Sequence, residues 1–311
     1  MSVSVTTGVY EPFGKVVIIS NGNAELQVTV DVGPRIISYK ALGGESFMYA
    51  DTAGEAVTYN EKITEAYGKE KYVFYGGHRL WETPEVFPDT YYPDDEEVTW
   101  VQTPGGAVFT APVRPNGLQY SIEVEMADEG SGVSVIGRIK NAGDSPCEHA
   151  PWGITQVRKG GVAVFPQNTR DCSPLGNRMV AYWPYSDMND DRFYAGPVYF
   201  TLRQDANCKG PFKFGISCDE SWCGYYIDGQ FIRKSFSFTG DSYEYPDYGC
   251  NVESYTDHKM LEIESLGPVV TIQPGQCAEL AEQWAIIDAP AGKGLDPKSG
   301  EFADMIKALV K

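Results

Sequence analysis

The sequence predicts an all-β fold, an antiparallel sandwich closed by a short C-terminal helix. Three observations predict it. Aromatic residues make up 13% of the 311 residues, beside 33 Gly and 20 Pro. Aromatics suit a pleated, half-buried surface, and Gly and Pro punctuate turns. Apolar residues alternate with polar ones along several segments, the period of a half-buried strand. Turn signals return about every 8–12 residues, with no rhythm of strand, helix and parallel strand. Length alone, at roughly 150 residues per domain, suggests two domains. The strand rhythm runs on without a composition break or a fixed repeat, so residues 1–311 are read as a single domain.

The first element is a hairpin. Val16–Ile19 leads into Ser20-Asn21-Gly22-Asn23, where Asn-Gly supplies the positive φ angles of a tight turn. The return strand places Ala24, Leu26, Val28, Val30 and Val32 on one face, and Glu25, Gln27, Thr29 and Asp31 on the other. Gly33-Pro34 breaks it, and Arg35–Tyr39 resumes an extended segment. Residues 51–72 are polar, with Ala, Glu and Lys enough for a short helix, and read as a loop excursion. Residues 82–97 carry prolines and the run Pro93-Asp94-Asp95-Glu96-Glu97, expected to be a solvated loop.

Strands come regularly from Val98. Ala107–Val113 turns at Pro115-Asn116-Gly117 into the alternating Leu118, Tyr120, Ile122, Val124 and Met126, and Asp128–Gly132 turns the chain into Val133–Ile139. Trp152–Val157, Val162–Phe165, Val198–Arg203 and Phe212–Ser217 follow. Tyr225–Ile227 and Phe231–Phe236 are joined through the hairpin turn Asp228-Gly229. Met260–Ile272 and Ala278–Ile287 are expected to pair about Pro274-Gly275. In the tail, Phe302, Ile306 and Leu309 fall at helical spacing after Ser299, a capping residue.

Charge narrows the function. Asp plus Glu number 43 against 25 Lys plus Arg, a net of -18. Nucleic acid and anionic membrane are dense in negative charge and would repel such a chain. A small ligand in a site of its own fits better; the oligomeric state is not fixed by these features. The 7 cysteines show no C-x-x-C and no even framework, so reduced thiols in a soluble, cytoplasmic protein are expected. The N-terminus lacks a basic segment followed by an apolar core, and apolar runs such as Val16–Ile19 are far short of a membrane span.

Several motifs fail. Gly292-Lys293-Gly294 lacks the rest of a phosphate loop. Asp187-Met188-Asn189-Asp190-Asp191 begins like a calcium loop, but Arg192 holds the turn glycine position and Val198 that of the bidentate Glu. His78, His149 and His258 have no metal-ligand spacing, and no G-x-S-x-G occurs. No metal and no cofactor is called for.

What survives is polar and aromatic. Gly76-Gly77-His78-Arg79-Leu80-Trp81-Glu82 brings together two glycines that permit close approach, an imidazole that exchanges protons near neutral pH, a guanidinium and an indole. A loop in which His78 and Arg79 satisfy buried carbonyls is the competing reading. On a strand through Leu261-Glu262-Ile263-Glu264, the two carboxylates share one face and raise each other's proton affinity, as suits an acid or base. Ordinary solvent-facing acids are the competing reading. Tyr243–Gly249, with Asp247 among tyrosines, reads as a ligand rim or an exposed loop. Trp152, in His149–Thr155, and Trp183-Pro184-Tyr185 read as sugar platforms or as core.

Together these segments resemble the galactose mutarotase-like superfamily of carbohydrate-acting β-sandwich proteins. The resemblance is carried by Val30–Ile36, Gly76–Glu82, Pro151–Thr155, Leu261–Pro268 and Gln273-Pro274-Gly275, in an order spanning residues 24–287. It implies a supersandwich of twisted antiparallel sheets with a sugar cleft on one concave face. In the aldose 1-epimerases of that superfamily, a carboxylate takes the proton from the anomeric hydroxyl and a histidine protonates the ring oxygen. The ring opens, the C1–C2 bond rotates, and reclosure gives the other anomer. Carried over, the late-strand carboxylate falls on Glu262 and the early arginine on Arg35. The Gly/His segment falls on Gly76–His78, with the histidine after the glycines.

One departure matters. The enzymes carry their acid histidine in a central strand, and the corresponding Ala150–Thr155 has none in register. The resemblance then implies either that His78 supplies the acid or that mutarotase chemistry is lost. In the first reading Glu262 is the base, His78 the acid, and Glu264 orients or shares the proton. Arg35, Arg79 and Asp247 bind hydroxyls, and Trp81 and Trp152 stack on the sugar. The second reading is a noncatalytic carbohydrate-binding protein using the same cleft. A glycosidase or lyase needs carboxylates on opposite sides of a bond, which neighbours on one strand supply poorly.

Overall fold

The computed structural model describes residues 2–239 and 244–310. Two large antiparallel sheets face each other. The first runs Ser4–Val9, Lys15–Ser20, Ala24–Thr29, Ile36–Ala41, His78–Thr83, Cys147–Val157, Leu261–Leu266, Val252–Thr256, Phe212–Ile216 and Val180–Tyr182, with Val270–Ile272 pairing at one end of Cys147–Val157. The second runs Phe193–Ala195, Tyr199–Arg203, Val162–Pro166, Trp222–Ile227, Gln230–Phe236, Cys277–Asp288, Val133–Asn141, Leu118–Met126, Gly106–Thr110 and Thr99–Gln102.

The alternation in the sequence decides which face each strand buries. Leu118–Met126 alternates buried and half-buried residues along its length, and it pairs with Val133–Asn141 from Leu118 opposite Asn141 to Met126 opposite Val133. Residues of both sheets, among them Leu26, Val28, Phe109, Ile122, Leu261 and Trp284, meet in one apolar cluster. Burial of this kind is the main force holding the sheets together. The Asn21-Gly22 and Asp228-Gly229 hairpins form, the latter with φ of 53° and 83°; in the former only Gly22, at 82°, takes a positive φ.

Four expectations need correction. Met260–Ile272 and Ala278–Ile287 do not pair. Leu261–Leu266 joins the first sheet beside Cys147–Val157, whereas Cys277–Asp288 joins the second between Gln230–Phe236 and Val133–Asn141. The Pro274-Gly275 turn thus lies where the chain crosses between sheets. Ser4–Val9 is a sheet-edge strand that the sequence hid, because its exposed residues carry no apolar alternation. Residues 51–72 are more than a loop. Val57–Tyr59 pairs with Lys71–Val73 around a helix, Glu61–Tyr67, whose first turn is capped by the Asn60 side chain. Ile63 of that helix packs with Tyr72, Trp81, Tyr91 and Trp152, so the excursion forms a wall of the site described below.

The acidic run is not simply solvated either. Asp94 accepts from Arg35 Nη2 at 2.6 Å and from Arg114 Nη2 at 3.1 Å, two buried arginines; Arg35 leads into Ile36–Ala41 of the first sheet, and Arg114 lies between Gly106–Thr110 and Leu118–Met126 of the second. The tail helix, Gly300–Leu309, starts where Ser299 accepts from the Phe302 amide, and it packs Phe302 and Ile306 beside Tyr226. Among the described residues no helix is long and apolar enough to cross a membrane. The cysteines are free thiols.

Candidate ligand-binding site

Side-chain parity builds the site. Directly paired residues of an antiparallel sheet point to the same face. Trp152 lies opposite Trp81, and Ile154 opposite Arg79. Across the other edge of the same strand, Ile154 lies opposite Glu264 and Gln156 opposite Glu262. The row continues through Glu253 and Tyr255, which face Glu264 and Glu262, to Lys213, which faces Tyr255. Five adjacent strands therefore send an unusual set of aromatic and charged residues to the outer face of the first sheet.

A cavity of about 370 Å³ opens on this face. Its walls include Trp81, Trp152, Trp183, Tyr185 and Tyr255; Arg79, Lys213 and Glu262 supply charge. Arg79 Nη1 lies 3.3 Å from Glu262 Oε1, and its guanidinium carbon sits 4.2 Å from the centre of a Trp81 ring. Gln156 Nε2 donates to the same Glu262 oxygen at 2.8 Å. Burial pushes the Glu262 pKa above the usual carboxyl value; Arg79 opposes this and Glu264 adds to it. Arg79 Nε and Trp81 Nε1 are buried without a hydrogen-bond partner among the described residues.

Behind the wall, Lys213 Nζ lies 2.7 Å from Glu253 Oε2 and 3.1 Å from Glu264 Oε2. Glu264 also accepts from Trp152 Nε1 at 2.8 Å, which fixes the indole's orientation.

Of the residues expected here, Glu262, Arg79, Trp81 and Trp152 come together on the cavity. The others do not. His78 is on the opposite face of its strand, because Gly76–Glu82 is not a loop: His78–Thr83 is a fully buried strand, and alternation separates His78 from Arg79 and Trp81. Its ring lies edge-on to Trp284 between the sheets. Arg35 is fully buried and bonded to Tyr72 at 2.8 Å and to Asp94, away from the cavity. Glu264 lies beneath the wall and positions Trp152 and Lys213. Asp247 is exposed in a left-handed turn, φ 50°, off the cavity. Tyr243 lies outside the described residues. The glycines before His78 admit chain, not ligand. At φ of 99° and 70°, a Cβ on Gly76 or Gly77 would collide with the Tyr49 or Ile36 carbonyl oxygen.

His78 belongs to a polar cluster between the sheets. Lys234 Nζ donates to Thr155 Oγ1 at 2.7 Å, and His78 Nδ1 is hydrogen-bonded to the same hydroxyl at 2.9 Å. Burial, reinforced by Lys234, Arg79 and Arg35, holds the imidazole well below its usual pKa. The sign follows. An unfolded histidine takes a proton near pH 6.5, the folded one only at lower pH, so stability falls toward acid by about 1.4 kcal/mol per pH unit below that point. Above it this residue adds no pH dependence. His78→Gln removes this slope. Between pH 7.5 and 5.5 the wild type should lose about 1.4 kcal/mol more than the variant in urea unfolding; equal losses would mean that folded His78 titrates normally.

The sequence reading passed over Lys213, Glu253, Gln156 and Tyr255. One signal was available: Lys213 is the sole charge in Phe212–Ser217, and a lone lysine on an apolar strand needs a buried counter-charge. A second cavity, of about 390 Å³, lies at the far end of the same strands beside Glu82, Asp89, Asp144 and His149. His149 is thus also away from the first cavity, with Nδ1 3.3 Å from the Thr83 carbonyl oxygen.

No protein-family model matches the chain, and no curated protein matches it in sequence. Solved structures do match in shape. A TPR-domain containing protein from Parabacteroides distasonis superposes with a TM-score of 0.60 at 14% identity over 91% of this chain; the chain spans about half of that protein, 48%. A galactose mutarotase-like protein from Clostridium acetobutylicum superposes with a TM-score of 0.52 at 10% identity, over 92% of this chain and 99% of the other. Another, from Lactobacillus casei, gives 0.51 at 12% identity, over 88% and 100%. Identities this low speak for fold alone. Paired large antiparallel sheets, a short C-terminal helix and these superpositions together establish that the chain has the galactose mutarotase-like β-sandwich fold.

Proposed function

We propose that residues 1–311 act as one carbohydrate-binding unit, taking a small sugar in the cavity walled by Trp81, Trp152 and Trp183. The observation that carries this is the join of those indoles with the Arg79–Glu262 pair. Flat apolar faces meet the C–H side of a sugar ring, and the Arg79 guanidinium and the Glu262 carboxyl meet its hydroxyls. The volume lies within the range of about 300–1,000 Å³ usual for small-molecule sites. The fold supports the reading by analogy only.

A second reading, an aldose 1-epimerase, is favoured by one feature. The Glu262 carboxyl lines the cavity with a raised pKa, as a proton-transfer group near neutral pH requires. Against it, no histidine lines this cavity; of the hydroxyls there, the phenols of Tyr185, Tyr255 and Tyr91 have pKa values that burial raises, and Thr58 is an aliphatic alcohol. Weakened acids are poor donors to a ring oxygen, so binding is the stronger reading.

Calorimetric titration and anomer-exchange NMR over a panel of neutral aldoses test both. The expected result is binding without acceleration of anomer exchange. Acceleration that Glu262→Gln abolishes would turn the reading to epimerase. Failure of any aldose to bind would reject the carbohydrate reading itself.

A further inference from the structure

Two buried cations line the cavity, and both are already matched. Lys213 lies against Glu253 and Glu264, and Arg79 against Glu262. Three carboxyls thus meet two cations, and all five side chains are buried. The indole rings of Trp152 and Trp183, each centred 4.6 Å from Lys213 Nζ, cover further sides of the ammonium. Burial works against the lysine's charge, but Glu253 and Glu264 outweigh it and hold the pKa well above the usual lysine value. At the rim, Lys259 Nζ donates to the Glu55 carbonyl oxygen at 2.7 Å beside Asp257, another carboxylate on the cavity.

An anionic group reaching Arg79 and Lys213 would find both already paired with carboxyls; half-buried Lys259, whose partner is a carbonyl oxygen, stands apart at the rim. The anion would meet Lys213 only by facing Glu253 and Glu264, where little water screens the repulsion. Selectivity of this kind comes from making the wrong ligand unfavourable.

We propose that the cavity selects an uncharged sugar, and that Glu253 and Glu264, by closing on Lys213, make it reject sugar phosphates and uronates. The proposal rests on the carbohydrate reading above and deepens it. Both glutamates are positioning residues: they act on the ligand through Lys213. Burial pushes Glu253 up in pKa against the pull of Lys213. One ionised carboxyl is enough to match the lysine, so both must be changed to release it.

The test compares neutral hexoses and pentoses with glucose 6-phosphate and glucuronate by calorimetric titration. It uses the wild type, Glu253→Gln/Glu264→Gln, and the same pair with Lys213→Met. The wild type should bind a neutral sugar at least about tenfold more tightly than either anion. The double variant should gain at least about tenfold for an anionic sugar relative to the neutral one, and Lys213→Met should cancel the gain. A merely structural role for the glutamates would weaken all ligands alike and would not respond to Lys213. A wild type that takes an anion as tightly as its neutral parent overturns the proposal and leaves the carbohydrate reading standing. So does a folded double variant with unchanged selectivity. Should the double variant not fold, the wild-type ratio of neutral to anionic affinity decides. Binding of no sugar at all, neutral or anionic, overturns both readings together.

Discussion

Replacing Lys234 by methionine should cost about 3–5 kcal/mol of stability, because it strands a carboxylate between the sheets. Lys234 is fully buried, and Nζ lies 3.1 Å from Glu282 Oε1, which comes from the neighbouring strand of the second sheet. Its other contacts are Thr155 Oγ1 and, at 3.4 Å, the Ile263 carbonyl oxygen, both on the first sheet. Gly153 makes room for the carboxylate, since a Cβ there would sit 3.0 Å from Glu282 Oε1. Once the ammonium is gone, Glu282 keeps only donors such as Ser265 Oγ and Trp284 Nε1. A methionine fills much of the volume, so packing is not the main loss. Lys234→Met/Glu282→Gln should recover most of the stability, since the charge and its partner leave together. Guanidinium unfolding followed by tryptophan fluorescence measures both. A single-variant loss below about 1 kcal/mol would mean that Glu282 carries no charge in the folded protein.

That buried cluster marks the limit of what the sequence discloses. The sheets were legible because alternation in segments such as Ala24–Thr29 and Leu118–Met126 fixes both strand and face. Glu262 and Glu264 were legible as a same-face pair for the same reason. Parity also held the answer for His78: in a strand, neighbours at 78 and 79 cannot share a face. The Gly-Gly start invited a loop reading that hid this. Arg35 reads as a sugar ligand on the resemblance alone, and its true partner Asp94 lies in an acidic run whose fold against Arg35 and Arg114 leaves no local pattern. Strand order and register were the least legible. The pairing of Lys213 with Glu264 depends on Val252–Thr256 lying between their strands, and nothing in local composition sets that order. Hence the core of the cavity was found and its supporting lysine was missed.

Arg79→Ala should lower affinity for the neutral sugar roughly a hundredfold, about 3 kcal/mol. The guanidinium does three things at once. It pairs with Glu262, lies against the faces of Trp81 and Phe74, and lines the cavity. Truncation removes a charged donor to the sugar, frees the Trp81 ring, and leaves Glu262 buried without its cation. Because Arg79 is what restrains the Glu262 pKa against burial, that pKa should rise further in the variant. Any binding that requires the ionised carboxylate then moves to higher pH, and raising the pH should restore part of the lost affinity. Arg79→Lys separates charge from shape. It keeps a cation beside Glu262 but loses the planar fork and its stacking on the indole, so an intermediate loss of about tenfold is expected. Titration calorimetry at several pH values, on variants whose melting temperatures confirm folding, reads all of these effects. Wild-type affinity in Arg79→Ala would remove this residue from the site, whereas an equal loss in Arg79→Lys and Arg79→Ala would locate its contribution in the fork and the stacked ring and not in the charge.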